Sequence, residues 1–225
     1  MRRSERLIRS GAKRPVLSVL LLISAVICTP LAIRALEVDE PNAQDRQIVR
    51  TIAKRMKLFH LSNQDMDDDI SKKGFQLYLK SLDPSKMYFY QSDIDEFGAS
   101  ADELDDLAKS GDLSFAFAVF NRFLKRIEER LVVINQLIES EHDFTLDEVM
   151  MTDSDELEFA KNPAELKDRW RKRIKYSMLV EKSEETANED AKNKLHRRYT
   201  SFAKRMNQFD AEEVTELFLT SLTTA

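Results

Sequence analysis

At 225 residues, with 42% hydrophobic and 33% charged side chains, the chain accommodates one domain plus a targeting segment and is too apolar to stay disordered. Four glycines occur, Gly11, Gly74, Gly98 and Gly111, which excludes glycine-rich phosphate cradles and a nucleophile elbow. The formal charge is −5, but residues 1–35 hold seven Lys/Arg against one Glu, leaving 28 basic and 39 acidic residues beyond them, a balance that argues against nucleic acid as a partner.

Arg2, Arg3, Arg6, Arg9, Lys13 and Arg14 precede an apolar run over residues 16–27, the layout of a signal peptide. Cleavage is expected after Ala35, with an uncleaved anchor as the alternative because Ile33 stands where a small residue is usual. Thr29 and Pro30 interrupt the run, so it is short for the roughly 20 residues of a spanning helix. An exported product follows, with no membrane contact beyond the leader. The one cysteine, Cys28, lies in that leader, so the rest of the chain has no disulfide, thiol nucleophile or cysteine metal site. Residues 36–44 read as a linker around Pro41, and residues 45–223 as a helical domain.

Ile48, Ile52, Met56 and Phe59 form the apolar stripe of a first helix ending near His60, after which Ser62 and Asn63 offer caps. The next helix carries Met66, Ile70, Phe75, Tyr78, Leu79 and Leu82; its acidic start at residues 65–69 suits the positive end of the helix dipole, and Asp83 with Pro84 stops it. Ser92 and Asp95 resemble a cap for a third helix through Ile94, Phe97, Leu104 and Leu107, interrupted near Gly98 and ended by Gly111.

From Leu113 to Glu139 a heptad stripe (Leu113, Phe117, Phe120, Leu124, Ile127, Leu131, Ile134, Ile138) is widened by Phe115, Val119, Phe123 and Val132. That width predicts a central helix packed on several neighbours rather than a two-stranded coiled coil. Thr145 with Glu148 reads as a capping box for a short helix or turn, and Asn162, Pro163 and Glu165 start a helix burying Leu166, Trp170, Ile174 and Met178. A further helix buries Ala191, Leu195, Tyr199, Phe202 and Met206. A last one, capped by Asp210 and Glu213, buries Val214, Leu217, Phe218 and Leu222. The expected fold is all-α: an irregular bundle of about six to eight helices after a signal peptide.

The residues nominate no catalytic, cofactor or metal site. His60, His142 and His196 stand apart without metal-ligand spacing, and the acidic run at residues 65–69 lacks the spaced ligands and central glycine of a calcium loop. Arg169, Trp170, Arg173 and Tyr176 mark a candidate docking surface, although Trp170 and Ile174 on one face with Arg169, Lys172 and Arg173 off it also describe an ordinary amphipathic helix. A serine and lysine dyad depends on tertiary geometry and cannot be nominated from spacing.

Residues 60–97, HLSNQDMDDDISKKGFQLYLKSLDPSKMYFYQSDIDEF, resemble the opening of the tail-specific, carboxy-terminal-processing proteases. So do Trp170 with Arg173 and Tyr176, and the stretch LHRRYTSFAKRMNQFDAEEVTELFLTSLTT over residues 195–224. The positions carrying the likeness, expected to be structural, are His60, Leu82, Asp83, Pro84, Tyr88, Phe89, Asp93, Phe97, Trp170, Leu195, Arg198 and Tyr199. In that family the helical region precedes a peptide-binding PDZ domain and a Ser/Lys protease domain acting in the periplasm. The resemblance implies protein partners: those domains in cis or trans, an adaptor, or polypeptide substrates. None of the matching positions is catalytic there, so the chain is expected to be a scaffold or interaction domain, the front of a truncated or split protease. The alternative is a stand-alone helical binding protein or holdase.

Overall fold

Helix-favouring periodicity governs almost the whole of the computed structural model, which describes residues 38–59, 66–151, 153–183 and 188–225. The expected signal peptide, His60, and the caps at Ser62 and Asn63 lie outside the described residues. Eight helices occur among those described: α1 (Ala43–Phe59), α2 (Asp68–Leu82), α3 (Gln91–Gly98), α4 (Leu104–Ser110), α5 (Ser114–Glu139), α6 (Pro163–Ser183), α7 (Asn188–Met206) and α8 (Ala211–Thr223). There is no strand among them, only a lone parallel bridge between Tyr90 and Ala160, so the domain is all-α. No described helix is long and apolar enough to cross a membrane.

Several helix ends follow their local chemistry. Asp67 caps α2 by accepting from the Asp69 and Ile70 N–H groups, satisfying donors that the first turn leaves orphaned. Asp210 and Glu213 cap α8 reciprocally, at 2.9 and 3.0 Å. Asn162 accepts from the Glu165 N–H at the start of α6 (2.9 Å). Gly111 ends α4 at φ 75°, a left-handed turn packed so tightly against Arg50 and the Arg46 carbonyl that a side chain there would clash.

Four expectations need correction. The buried face of α1 holds Asp45, Val49, Ala53 and Met56, while Ile48 is exposed; the helix turns its smaller residues inward where it meets α4 and α8. The start of α3 is set by Asp93, whose carboxylate accepts the Tyr90 N–H (2.9 Å), and Ser92 lies inside the helix. Val132 does not widen the α5 stripe, being 59% exposed. Thr145 and Glu148 form no capping box: Thr145 donates to Asp143, and Glu148 is drawn away by Arg171 and Lys175 of α6.

Helix α5 is the central element. Its first half shares a core with α1, α2, α4 and α8, and its second half joins α6 and α7 in a smaller core around Ile134, Ile138, Trp170 and Ile174. Each fully buried Leu, Ile or Phe contributes about 1.5–3 kcal/mol. Helices α2 and α8 cross at Gly74, where an added Cβ would sit 2.5 Å from Leu222 Cδ2. Tyr88, in the connection between α2 and α3, packs against both cores.

Candidate functional site

The connection that follows α2 is shaped by one carboxylate. Asp83 is 1% exposed and accepts three backbone N–H bonds, from Met87 (2.8 Å), Tyr88 (2.8 Å) and Phe89 (3.0 Å). Folding residues 83–89 around it requires a left-handed turn at Lys86 (φ 51°), which costs strain that the three bonds offset. Burial pushes the Asp83 carboxyl up, while the three N–H groups and the positive charge of Arg130 pull the other way.

That loop delivers Tyr88 into a hub of rings. Its centroid lies 5.5 Å from Phe123, 5.6 Å from Trp170 and 5.5 Å from Phe202, and Trp170 meets Tyr199 edge-on at 5.5 Å. The Trp170 indole N–H donates to the Met87 carbonyl at 2.8 Å, tying α6 to the loop. On the far side, Asp93 is held by Arg126 (2.8 and 2.9 Å) and Arg122 (2.6 Å). Arg126 and Arg130 also lie over the Tyr90 ring, at 4.8 and 4.5 Å. Burial works against the Asp93 carboxylate, but Arg126, the Tyr90 N–H and Arg122 outweigh it and hold its pKa below the ordinary carboxylate range.

The hub opens into a cavity of about 340 Å³, walled by Tyr88, Trp170, Tyr199, Phe202 and Met87, with Arg173 at its side. A neighbouring cavity of about 300 Å³ shares the Ser85, Met87 and Arg173 wall and is closed by Val149, Met150 and Met151. The structure thus gathers Leu82, Asp83, Pro84, Tyr88, Trp170 and Tyr199 around one cavity, although they come from three separate stretches. Phe89 and Leu195 are fully buried and Phe97 nearly so, whereas Arg198 stays at the surface, donating to Glu181 (3.2 Å).

Three of the four docking candidates line these cavities, Trp170 and Arg173 the first and Arg169 and Arg173 the second, while Tyr176 stands apart. Trp170 points inward, Arg169 pairs with Glu165 and the Glu158 carbonyl, Arg173 is exposed beside both cavities, and Tyr176, 56% exposed, lies a turn further along α6. Sequence reasoning passes over Arg122, Arg126 and Arg130, although their four-residue spacing along α5 is the signal of a cationic row on one face. Phe123 and Phe202 look like ordinary core positions and become hub residues only through Tyr88.

Of the two serines on the larger cavity, Ser81 donates to the Tyr78 carbonyl (2.7 Å), and Lys86, beside Ser85, gives its ammonium to the Leu157 carbonyl. The cavity walls combine apolar groups and phenol oxygens with the guanidiniums of Arg169 and Arg173 and the Lys172 ammonium. The architecture is an all-α domain, and the chain belongs to the tail-specific protease N-terminal domain family: the family model described as "Tail specific protease N-terminal domain" matches residues 52–225. Among curated proteins it is similar to the tail-specific protease of Haemophilus influenzae (strain ATCC 51907 / DSM 11121 / KW20 / Rd), 30% identical over 166 residues. The match covers 73% of this chain and 24% of the relative, so the chain spans about a quarter of the protein it resembles.

Proposed function

We propose that this domain is a non-catalytic scaffold of a periplasmic serine-type protease, packing against protease and PDZ domains supplied in cis or trans and presenting a surface to adaptor or substrate polypeptides. The family match over residues 52–225 carries the reading. The cavity beside Tyr88 and Trp170 supports it, because it is built from the positions that carry the family likeness. An exported location rests on the basic, then apolar, opening of the sequence.

The test is immunoprecipitation from native envelope extract with an antibody raised against residues 66–151. The eluate and the recombinant 225-residue chain are then assayed for digestion of an unfolded protein. Digestion by the eluate but not by the recombinant chain is expected, and the size of the precipitated band, set against 26.1 kDa, separates cis from trans. An inactive eluate, with a recombinant chain that suppresses aggregation, would establish the stand-alone holdase instead. Digestion by the recombinant chain alone would overturn the scaffold role.

A further inference from the structure

The connection between α5 and α6 has an unusual composition. Residues 141–158 hold eight Asp/Glu and no Lys or Arg, yet they also carry Leu146, Val149, Met150 and Met151, with Val149 86% exposed. This acidic, apolar segment is held to α6 by a repeated chemistry. Glu148 binds Arg171 and Lys175, and the carbonyls of Leu146 and Glu158 accept from Lys175 (2.9 Å) and Arg169 (2.6 Å). On the α2 side, Lys80 binds Asp155 (2.9 Å) and Lys86 binds the Leu157 carbonyl. The cations of α6 thus already hold an acidic polypeptide through its carboxylates and its main chain.

Arg173 follows Arg169 by one turn and differs from the other cations of α6. Arg169, Arg171, Lys172 and Lys175 each pair with a carboxylate, whereas among the described residues no carboxylate pairs with Arg173, whose guanidinium is exposed and interacts with the Tyr199 hydroxyl. It stands on the wall shared by the two cavities, with rings on one side and Val149, Met150 and Met151 on the other. About 340 and 300 Å³ fall at the lower end of the roughly 300–1,000 Å³ of ligand sites, and methionine walls adapt to varied apolar side chains.

We propose that these adjoining cavities form a cleft for a polypeptide segment with apolar side chains flanking an acidic residue, the carboxylate on Arg173 and the apolar groups in the aromatic and methionine-lined pockets. The occupant belongs to a partner polypeptide, and the α5–α6 connection lies beside it. This deepens the scaffold reading by naming partner chemistry, but its test contains no protease, so the two can fail separately.

Trp170 is the single tryptophan and lines the cleft, so its emission reports occupancy. The full chain is titrated with acetyl-Leu-Glu-Phe-Asp-Leu-amide, blocked at both ends, then with the Gln/Asn counterpart, and finally with myristate as a non-peptide anion. Saturable binding of the acidic peptide is expected, weakened about fivefold in the neutral peptide and in Arg173→Ala, as for loss of an exposed ion pair. Met151→Ala, on the opposite wall, weakens it by about fivefold. Both substitutions are at exposed positions, and unchanged circular dichroism verifies the fold. Equal binding of the neutral peptide, unchanged affinity in Arg173→Ala, binding of myristate alone, or no saturable change would each overturn the proposal.

Discussion

Replacing Asp83 tests whether one buried carboxylate organises the loop that carries Tyr88. In Asp83→Ala, the N–H groups of Met87, Tyr88 and Phe89 lose their common acceptor at a position only 1% exposed. Each orphaned donor costs about 1–3 kcal/mol. Relief from burying a charge and rearrangement of the loop recover part of that sum, so a loss of about 3–4 kcal/mol is expected, a large share of the roughly 5–15 kcal/mol that holds a domain. Asp83→Asn keeps one oxygen, which can serve two donors, and turns an amide NH2 toward the third; about 1–2 kcal/mol is expected. Urea unfolding followed by circular dichroism gives both values. Trp170 emission should report the loop in the native state, because its indole is bonded to the Met87 carbonyl. A loss below about 1 kcal/mol in Asp83→Ala, or equal losses in the two variants, would refute the counting of acceptors.

Gly74→Ala gains about 1 kcal/mol of helix propensity but drives a methyl into Leu222, 2.5 Å from Cδ2 and 3.3 Å from Cα, so urea unfolding should show a net loss of about 1–2 kcal/mol. Asp210→Ala removes the cap of α8 and should cost about 1 kcal/mol by the same measurement, with Asp210→Asn close to neutral. Asp93 has a depressed folded pKa, so its contribution is present above the unfolded value, about 3.9, and fades as pH falls through the folded one. Asp93→Asn should therefore be about 2–3 kcal/mol less stable than the parent at pH 7, with the gap narrowing as pH falls below about 3.9.

Helices were legible where the signal was local. The 3.6-residue period places α2, α5, α6 and α8, and Asn162 and Asp210 announce their own helix starts, because a cap is chemistry between residues three apart. The errors arise where a distant partner competes. Glu148 sits at capping distance from Thr145, yet Arg171 and Lys175 hold it from 23 and 27 residues away. Asp93 serves the start of α3 and also two arginines of α5, and only the second role explains its burial. The α1 stripe is misplaced because a count of large apolar residues gives no weight to Ala53. As for the site, the family likeness brings out Tyr88, Trp170 and Tyr199 singly. Nothing in their spacing says that they share one cavity, since residues 88, 170 and 199 meet only after α5 has crossed between two cores.

The two walls of the cleft are built from unequal materials. The inner wall, Met87 and Tyr88, is fixed by buried bonds: three N–H groups on Asp83 and the Trp170 indole on the Met87 carbonyl. Burial limits competition from water there, so each bond keeps much of its strength. The outer wall, Val149 to Met151, is retained through Glu148, which Arg171 and Lys175 pull down to about 2, and through contacts such as Lys80 with Asp155 that stand in solvent. Exposed ion pairs contribute about 0–1 kcal/mol each and weaken with salt. A cleft with one rigid aromatic wall and one compliant methionine wall fixes the position of an incoming apolar group while tolerating its shape. Selectivity for charge then falls to Arg173, which stands between the two walls.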